Sequence, residues 1–245
     1  MQTFFLDGEA IPFEAGQTVM EAALAAGRHI PHLCWHPDLE PHSSCRLCTV
    51  VINGRPFAAC TQPAMKDQRV ESNTPNLEEM RRAVTQLLFV EGNHFCPACE
   101  KSGGCRLQST AYALGMEDSH FPHQFPVRER DFSHPDVYLD RDRCIRCELC
   151  VRASRVLDEK DVFAITGRGI HWTLAVNSPS GKLVDSAIAA DDHAVRLCPT
   201  GALMKKRVGF VAAPGERPFE REPLAERDIR EFQARTPPSK TGGTP

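Results

Sequence analysis

The chain has 245 residues, 41% of them hydrophobic, and a formal net charge of -3. That is enough apolar material for one large domain or two to three small ones, and the near-neutral balance gives no electrostatic reason to expect nucleic acid. The opening residues, Met1-Gln2-Thr3-Phe4-Phe5-Leu6-Asp7-Gly8-Glu9, have neither a basic head nor a long apolar run, which argues against a secretory leader. Nothing approaches the roughly 20 continuous apolar residues of a membrane span. A cytoplasmic protein in a reducing compartment is therefore expected. In that setting its 11 cysteines, many spaced two residues apart, read as metal ligands rather than disulfide partners.

In chain order, residues 3–6 and 9–13 read as short strands around Asp7-Gly8, a strong hairpin signal. Residues 17–26, rich in Ala, Leu and Met and followed by Gly27, read as a helix. Residues 34–48 form a loop in this reading. Residues 49–52 and 55–57 flank Asn53-Gly54 as a second hairpin, and the whole order suits a β-grasp arrangement. The stretch 74–125 is helical in pattern. Thr74 can cap, Pro75 takes the first helical position, and Glu78 and Glu79 suit the positive end of the dipole. Leu77, Met80, Val84, Leu87 and Leu88 recur at helical spacing until Gly92, with Arg81-Arg82 on the polar face. A second helix is expected over residues 106–114, ahead of Gly115. Between 126 and 207 the pattern predicts a cysteine-bearing loop, a short helix near 151–157, and strands at 162–166 and 172–176. Beyond Val208 the composition turns to Pro, Glu and Arg. Residues 224–235 read first as a solvated charged tail and second as a short surface helix suited to docking. Residues from about 236 read as disordered.

The cysteines fall into three groups. Cys34, Cys45, Cys48 and Cys60 have the spacing C-x10-C-x2-C-x11-C. A two-iron cluster takes four thiolates, commonly three in one loop and a fourth remote; a four-cysteine zinc site accepts the same ligands, so spacing alone leaves both open. His94, Cys96, Cys99 and Cys105 follow the amphipathic helix. Three cysteines cannot complete a four-iron cubane, and a neutral imidazole at the last corner would replace an anionic thiolate and tend to raise the potential. His94 is the candidate, with His120 and His123 as fallbacks; a histidine beside a helix end is ordinarily a capping or surface residue. Gly103 and Gly104 either let backbone N–H groups approach sulfur or simply turn the chain.

Cys144, Cys147 and Cys150 form C-x2-C-x2-C, with Cys198-Pro199 47 intervening residues later. This is the bacterial ferredoxin pattern, three thiolates from one loop and a distant Cys-Pro. Ser154 stands where two-cluster ferredoxins place the cysteine that serves the other cluster, which predicts a single cluster here. Together the groups use every cysteine, leaving none for a disulfide or a catalytic thiol. No nucleotide fingerprint survives inspection: after Gly167-Arg168-Gly169 the third glycine position holds Trp172, and no phosphate-binding loop follows. Lys205-Lys206-Arg207 reads as a solvated edge. No catalytic residue is predicted on this chain.

Ile30-Pro31-His32-Leu33-Cys34-Trp35-His36, Ser44-Cys45-Arg46-Leu47-Cys48 and Ala59-Cys60 resemble the 2Fe–2S domain that opens the large NADH-module subunit of respiratory complex I and related hydrogenase subunits. Gly92-Asn93-His94-Phe95-Cys96-Pro97-Ala98-Cys99 and the run to Gln108 resemble the histidine–tricysteine domain of the same family. With all three motifs in order over roughly residues 1–207, the chain resembles the small diaphorase subunits of soluble NAD-reducing nickel–iron hydrogenases. Phe125-Pro126, Ser133-His134-Pro135-Asp136, Arg152-Ala153-Ser154-Arg155 and Gly167-Arg168-Gly169 extend the likeness.

The resemblance implies an α+β chain: an N-terminal β-grasp 2Fe–2S ferredoxin-like domain (1–75), a helical 4Fe–4S domain with one histidine and three cysteine ligands (76–125), a bacterial-ferredoxin-like 4Fe–4S domain (126–207) and a charged, Pro-rich tail (208–245). It implies one 2Fe–2S cluster on Cys34, Cys45, Cys48 and Cys60. It further implies two 4Fe–4S clusters, on His94, Cys96, Cys99 and Cys105 and on Cys144, Cys147, Cys150 and Cys198. The implied partners are a diaphorase subunit binding FMN and NAD, and hydrogenase small and large subunits with the nickel–iron site. Single electrons would cross this chain, in either direction, in support of H2 + NAD+ to NADH + H+. Complex I and formate dehydrogenase relatives continue into a molybdopterin-type domain, whereas this sequence ends within 47 residues of Cys198 and has no later cysteine. A relay subunit of another NAD-linked complex is thus the second expectation, and a zinc-binding structural module the third.

Overall fold

The structure, a computed structural model, describes residues 2–235; the segment expected to be disordered, from about 236, lies outside the described residues. Two compact units divide the chain. Among the described residues, 2–81 together with 222–235 form the first, and Arg82–Arg221 forms the second.

The first unit begins with strands β1 (Gln2–Leu6) and β2 (Glu9–Phe13), paired antiparallel so that Leu6 faces Glu9. Asp7 and Gly8 both take positive φ, 50° and 88°, the primed turn that the Asp-Gly pair favours. Helix α1 (Val19–Ala25) starts later than the composition implied, because Thr18 is its cap. The Glu21 N–H donates to Thr18 Oγ1 at 3.2 Å, and the Thr18 N–H donates to Glu21 Oε2 at 2.8 Å, a reciprocal capping box. Strands β3 (Thr49–Ile52) and β4 (Arg55–Ala58) form the second expected hairpin. A strand with no sequence signal, β5 (Arg69–Glu71), runs parallel to β1 and antiparallel to β3. It completes a five-stranded sheet of order β2-β1-β5-β3-β4. Phe4, Ile11, Met20, Leu24, Ile30 and Val50 are fully or almost fully buried between this sheet and α1.

Helix α2 (Pro75–Val90) runs as the apolar periodicity predicted, with the Thr74 hydroxyl accepting from the Leu77 N–H at 3.3 Å. The polar face assigned to Arg81 is a correction. Its side chain is only 3% exposed, and its guanidinium donates to the carbonyls of Leu47, Ser72 and Thr49 at 3.0, 2.7 and 2.9 Å. Arg has five donors spread over three nitrogens of a planar fork, so Arg81 reaches three separated carbonyls through Nε, Nη1 and Nη2.

The charged stretch at residues 224–235 is not a solvated tail. It forms helix α7 (Leu224–Arg235), in which Leu224, Asp228 and Phe232 are buried, four residues apart on one face. α7 packs on α1, and the Phe232 and Trp35 ring centroids lie 5.9 Å apart. Burying one such phenyl ring contributes about 2–3 kcal/mol, enough to outweigh the polarity of the rest of the segment.

The second unit is assembled from shorter pieces. They are α3 (Arg106–Ala113), β6 (Arg130–Asp131), β7 (Val137–Asp140), α4 (Leu149–Val156), β8 (Phe163–Thr166), β9 (Thr173–Val176), α5 (His193–Arg196), β10 (Leu203–Lys205) and α6 (Pro218–Arg221). β10-β7-β6 form one small sheet and β8-β9 a hairpin, while α4 packs against α5 and β8. Leu139 and Leu203, opposite one another across β7 and β10, are both buried. Among the described residues no helix is long and apolar enough to cross a membrane.

Candidate metal centres

Cys34, Cys45, Cys48 and Cys60 come together in the first unit as two pairs. Cys48 Sγ and Cys60 Sγ are 3.4 Å apart, and the Cys45 N–H donates to Cys34 Sγ at 3.4 Å. Within each pair one thiol is driven down and the other up. The hydrogen bond from the Cys45 thiol, the largest influence, lowers Cys34 to about 5, and the same bond raises Cys45. Cys60 is lowered by Cys48, which is raised in return. Two ligands on one tetrahedral metal with bonds near 2.3 Å sit about 3.8 Å apart, so the Cys48–Cys60 spacing suits one metal. A single zinc ion would need all the sulfurs mutually that close. Among the described residues, the group of three side chains whose ligand atoms lie within 4.8 Å of one another is His29, His32 and Asp228, and it contains no cysteine. Two pairs fit a two-iron rhomb, two thiolates to each iron. Arg46, between Cys45 and Cys48, takes φ 59°, and the buried Arg81 guanidinium clasps the carbonyls on either side of Cys48.

The second group surrounds a small cavity lined by His94, Cys96, Cys99, Cys105, Arg143 and Gly201 among others. His94 Nε2 is buried there with no hydrogen-bond partner among the described residues, while the ring bonds to the Leu88 carbonyl. That bond therefore belongs to Nδ1–H, and Nε2 presents a lone pair to the cavity. Burial, joined by the Arg143 charge, lowers His94 to about 4, so the imidazole stays neutral, the form that binds metal. A buried nitrogen lone pair facing three thiols is costly unless a ligand takes it up, and the donor set fits a cubane corner.

Two glycines make room. A Cβ on Gly92 would lie 2.5 Å from His94 Nε2, and one on Gly201 would lie 2.9 Å from Cys99 Sγ. Cys105 precedes α3. Burial raises its thiol to about 12, while the Gln108 and Leu107 amides at the helix start pull the other way. Neither fallback histidine lines this cavity: His120 is exposed, and His123, near enough for its charge to act on His94, accepts from the Phe125 N–H at 3.0 Å. Gly103 and Gly104 serve the turn. Their amides donate to Gln108 Oε1 and the Lys101 carbonyl at 2.8 and 2.9 Å, not to sulfur.

The third group is closed by the β7–β10 ladder. That pairing, with the Thr200 hydroxyl donating to the Arg143 carbonyl at 2.8 Å, returns Cys198 to the Cys144 loop. Burial raises Cys144 to about 11 against the pull of the Arg146 amide, and Cys198 lies close enough to raise it further. Cys150 is raised by burial and then by Cys144, Cys147 and Cys198, so the four sulfurs share one neighbourhood. Arg146 and Glu148 take φ 56° and 58°, which turns backbone amides inward. The Arg146 N–H donates to Cys144 Sγ and the Leu203 N–H to Cys198 Sγ, both at 3.4 Å, the type of contact that tunes iron–sulfur centres. Ser154, in the position of a further cysteine, is 1% exposed and accepts from the Val162 N–H at 2.7 Å, a purely structural use. Arg143 belongs to both neighbourhoods: it precedes Cys144, lines the second cavity, and donates to Glu100 Oε2 at 2.8 Å. Arg143 carried no signal in the sequence beyond its place before Cys144, and Arg81 none beyond its place in the α2 repeat.

This architecture has matching families along most of its length. Residues 1–75 match the 2Fe-2S iron-sulfur cluster binding domain, residues 81–120 the NADH-ubiquinone oxidoreductase-G iron-sulfur binding region, and residues 137–204 the 4Fe-4S single cluster domain. The chain is thus an iron–sulfur protein of mixed α and β structure with both two-iron and four-iron binding domains. The gamma subunit of the NAD-reducing hydrogenase HoxS of Cupriavidus necator is 38% identical over 91% of this chain and 95% of its own length. An NADH-quinone oxidoreductase subunit of Rickettsia prowazekii is 30% identical over 88% of this chain, which spans only 32% of that protein. A chain in the crystal structure of NAD+-reducing [NiFe]-hydrogenase in the H2-reduced state superposes with a TM-score of 0.90 at 52% identity, covering 93% of this chain and 98% of that one. The chain belongs to the family of gamma subunits of NAD-reducing hydrogenase.

Proposed function

We propose that this chain is the electron relay of a cytoplasmic NAD-reducing hydrogenase. It passes single electrons between a nickel–iron hydrogenase pair, small and large subunits, and a diaphorase subunit that binds FMN and NAD, in support of H2 + NAD+ to NADH + H+. Residues 1–75 are read as a β-grasp 2Fe–2S ferredoxin-like domain, 76–125 as the histidine–tricysteine 4Fe–4S domain, 126–207 as a bacterial-ferredoxin-like 4Fe–4S domain and 208–245 as the charged C-terminal segment. Cys34, Cys45, Cys48 and Cys60 hold one 2Fe–2S cluster; His94, Cys96, Cys99 and Cys105 hold one 4Fe–4S cluster; Cys144, Cys147, Cys150 and Cys198 hold another.

Bound there, the clusters supply one-electron redox chemistry. The chain's own residues fix the sulfurs, exclude water and aim amides at them. A neutral His94 in place of a thiolate, with the Arg143 guanidinium on the same cavity, makes that neighbourhood more positive and raises its potential. The observation that carries the reading is the buried, partnerless His94 Nε2 on a cavity shared with three cysteines.

The test is purification of the native complex with metal and flavin analysis, followed by EPR-monitored redox titration. Nickel and FMN should copurify; molybdenum or tungsten instead would favour a formate dehydrogenase relay. His94→Cys should move one resolved potential downward, and an unchanged set would exclude His94 as a ligand. The isolated, flavin-free chain should not reduce NAD, and measurable reduction would contradict the relay role.

A further inference from the structure

The first unit contains a second set of metal-ligating side chains, free of cysteine and unused by the relay. His29 and His32 follow α1, and Asp228 lies on α7. His29 Nε2 is 3.1 Å and His32 Nε2 3.5 Å from Asp228 Oδ2, and the three ligand atoms lie within 4.8 Å of one another. Ligands on a tetrahedral ion with bonds of 2.0–2.1 Å are separated by roughly 3.3 Å, so two of the three edges already have the right length. The His32 and Asp228 side chains are 3% and 6% exposed, and His29 is 16% exposed.

The proton inventory points the same way. His32 Nδ1 is 2.9 Å from the Ile30 carbonyl oxygen. A carbonyl can only accept, so Nδ1 carries a proton and Nε2, which faces the Asp228 carboxylate, is the nitrogen available to a metal. A backbone carbonyl holding the far nitrogen is also the usual orienting contact behind a metal-binding histidine.

We propose that His29, His32 and Asp228 bind a divalent transition-metal ion, zinc by preference, and that this ion fastens α7 to the segment leading into Cys34. Two imidazoles and one carboxylate match the donor preference of zinc; calcium and magnesium would ask for oxygen throughout. The ion would link residues about 199 positions apart in sequence, a closure that the α7 apolar face alone leaves to Leu224 and Phe232.

The experiment uses the full, iron-loaded chain, incubated with zinc chloride, desalted, and measured for zinc, iron and sulfide together with zinc K-edge absorption. The wild type should retain about one zinc per chain in a nitrogen–oxygen shell with imidazole scattering. Asp228→Asn and His29→Gln should each retain roughly tenfold less, with iron and sulfide unchanged. Zinc bound through sulfur, zinc kept by both variants, or a wild type that holds no more than the variants would overturn the proposal and leave a proton-shared ion pair. Should Asp228→Asn fail to fold, His29→Gln and the wild-type absorption spectrum carry the decision. Because iron and sulfide are read separately, failure here is distinguishable from failure of the relay reading.

Discussion

The first unit has a five-stranded sheet, a capped helix and a continuous apolar core from Phe4 to Phe232. The second has strands of two to four residues in two small sheets, and two of its loops are organised around cysteines. The contrast separates two sources of order. Burial of apolar surface stabilises the first unit at roughly 25 cal/mol per Å² whether or not metal is present. The second, with its short strands, is expected to draw a larger share of its folding free energy from metal binding.

Extraction of iron should therefore produce the largest effect. Amide exchange should accelerate through β6–β10 and α3–α5 while β1–β5 stays protected, and equal loss in both units would break the distinction. Arg81→Ala comes next. It strands the Leu47, Ser72 and Thr49 carbonyls and should cost roughly 3 kcal/mol, seen as a lower urea midpoint for the first unit; Arg81→Lys should restore only a fraction. Gly92→Ala acts on the other side. Its methyl would meet His94 Nε2 at 2.5 Å and the Asp142 carbonyl at 2.8 Å, an overpacking cost of about 1–3 kcal/mol. One EPR signal should change and the first unit should keep its exchange protection. Thr18→Ala removes a capping box and should cost about 1 kcal/mol, confined to the midpoint of the first unit.

The same division governs what the sequence made legible. Asp7-Gly8 and Asn53-Gly54 announce hairpins because the turn chemistry is local, and α2 announces itself by a repeat within its own residues. β5 has three residues and two partners distant in the chain, so nothing within Arg-Val-Glu encodes its pairing. β7 and β10 are invisible for the same reason, although their ladder is what delivers Cys198. The spacing proposes three cysteine groups, but the approach of Cys48 to Cys60 within the first is not encoded in spacing, since it depends on how one loop folds over another. Arg81 was misplaced because a helical wheel reports the face a residue occupies and not whether carbonyls from another segment are waiting there. α7 was misjudged because three buried positions in a charged helix count for little in composition and for much in packing.

The 47 residues between Cys150 and Cys198 leave the third cysteine group and come back to it, with the β8–β9 hairpin between. Gly169–His171 form a short turn between those strands, and Ile170 is 85% exposed. A loop that departs from and returns to one place is nearly indifferent to its own length, since doubling it costs only about 0.6 kcal/mol. That turn is accordingly where a fluorophore, an affinity handle or an additional module can be spliced into the chain with the four cysteines left undisturbed.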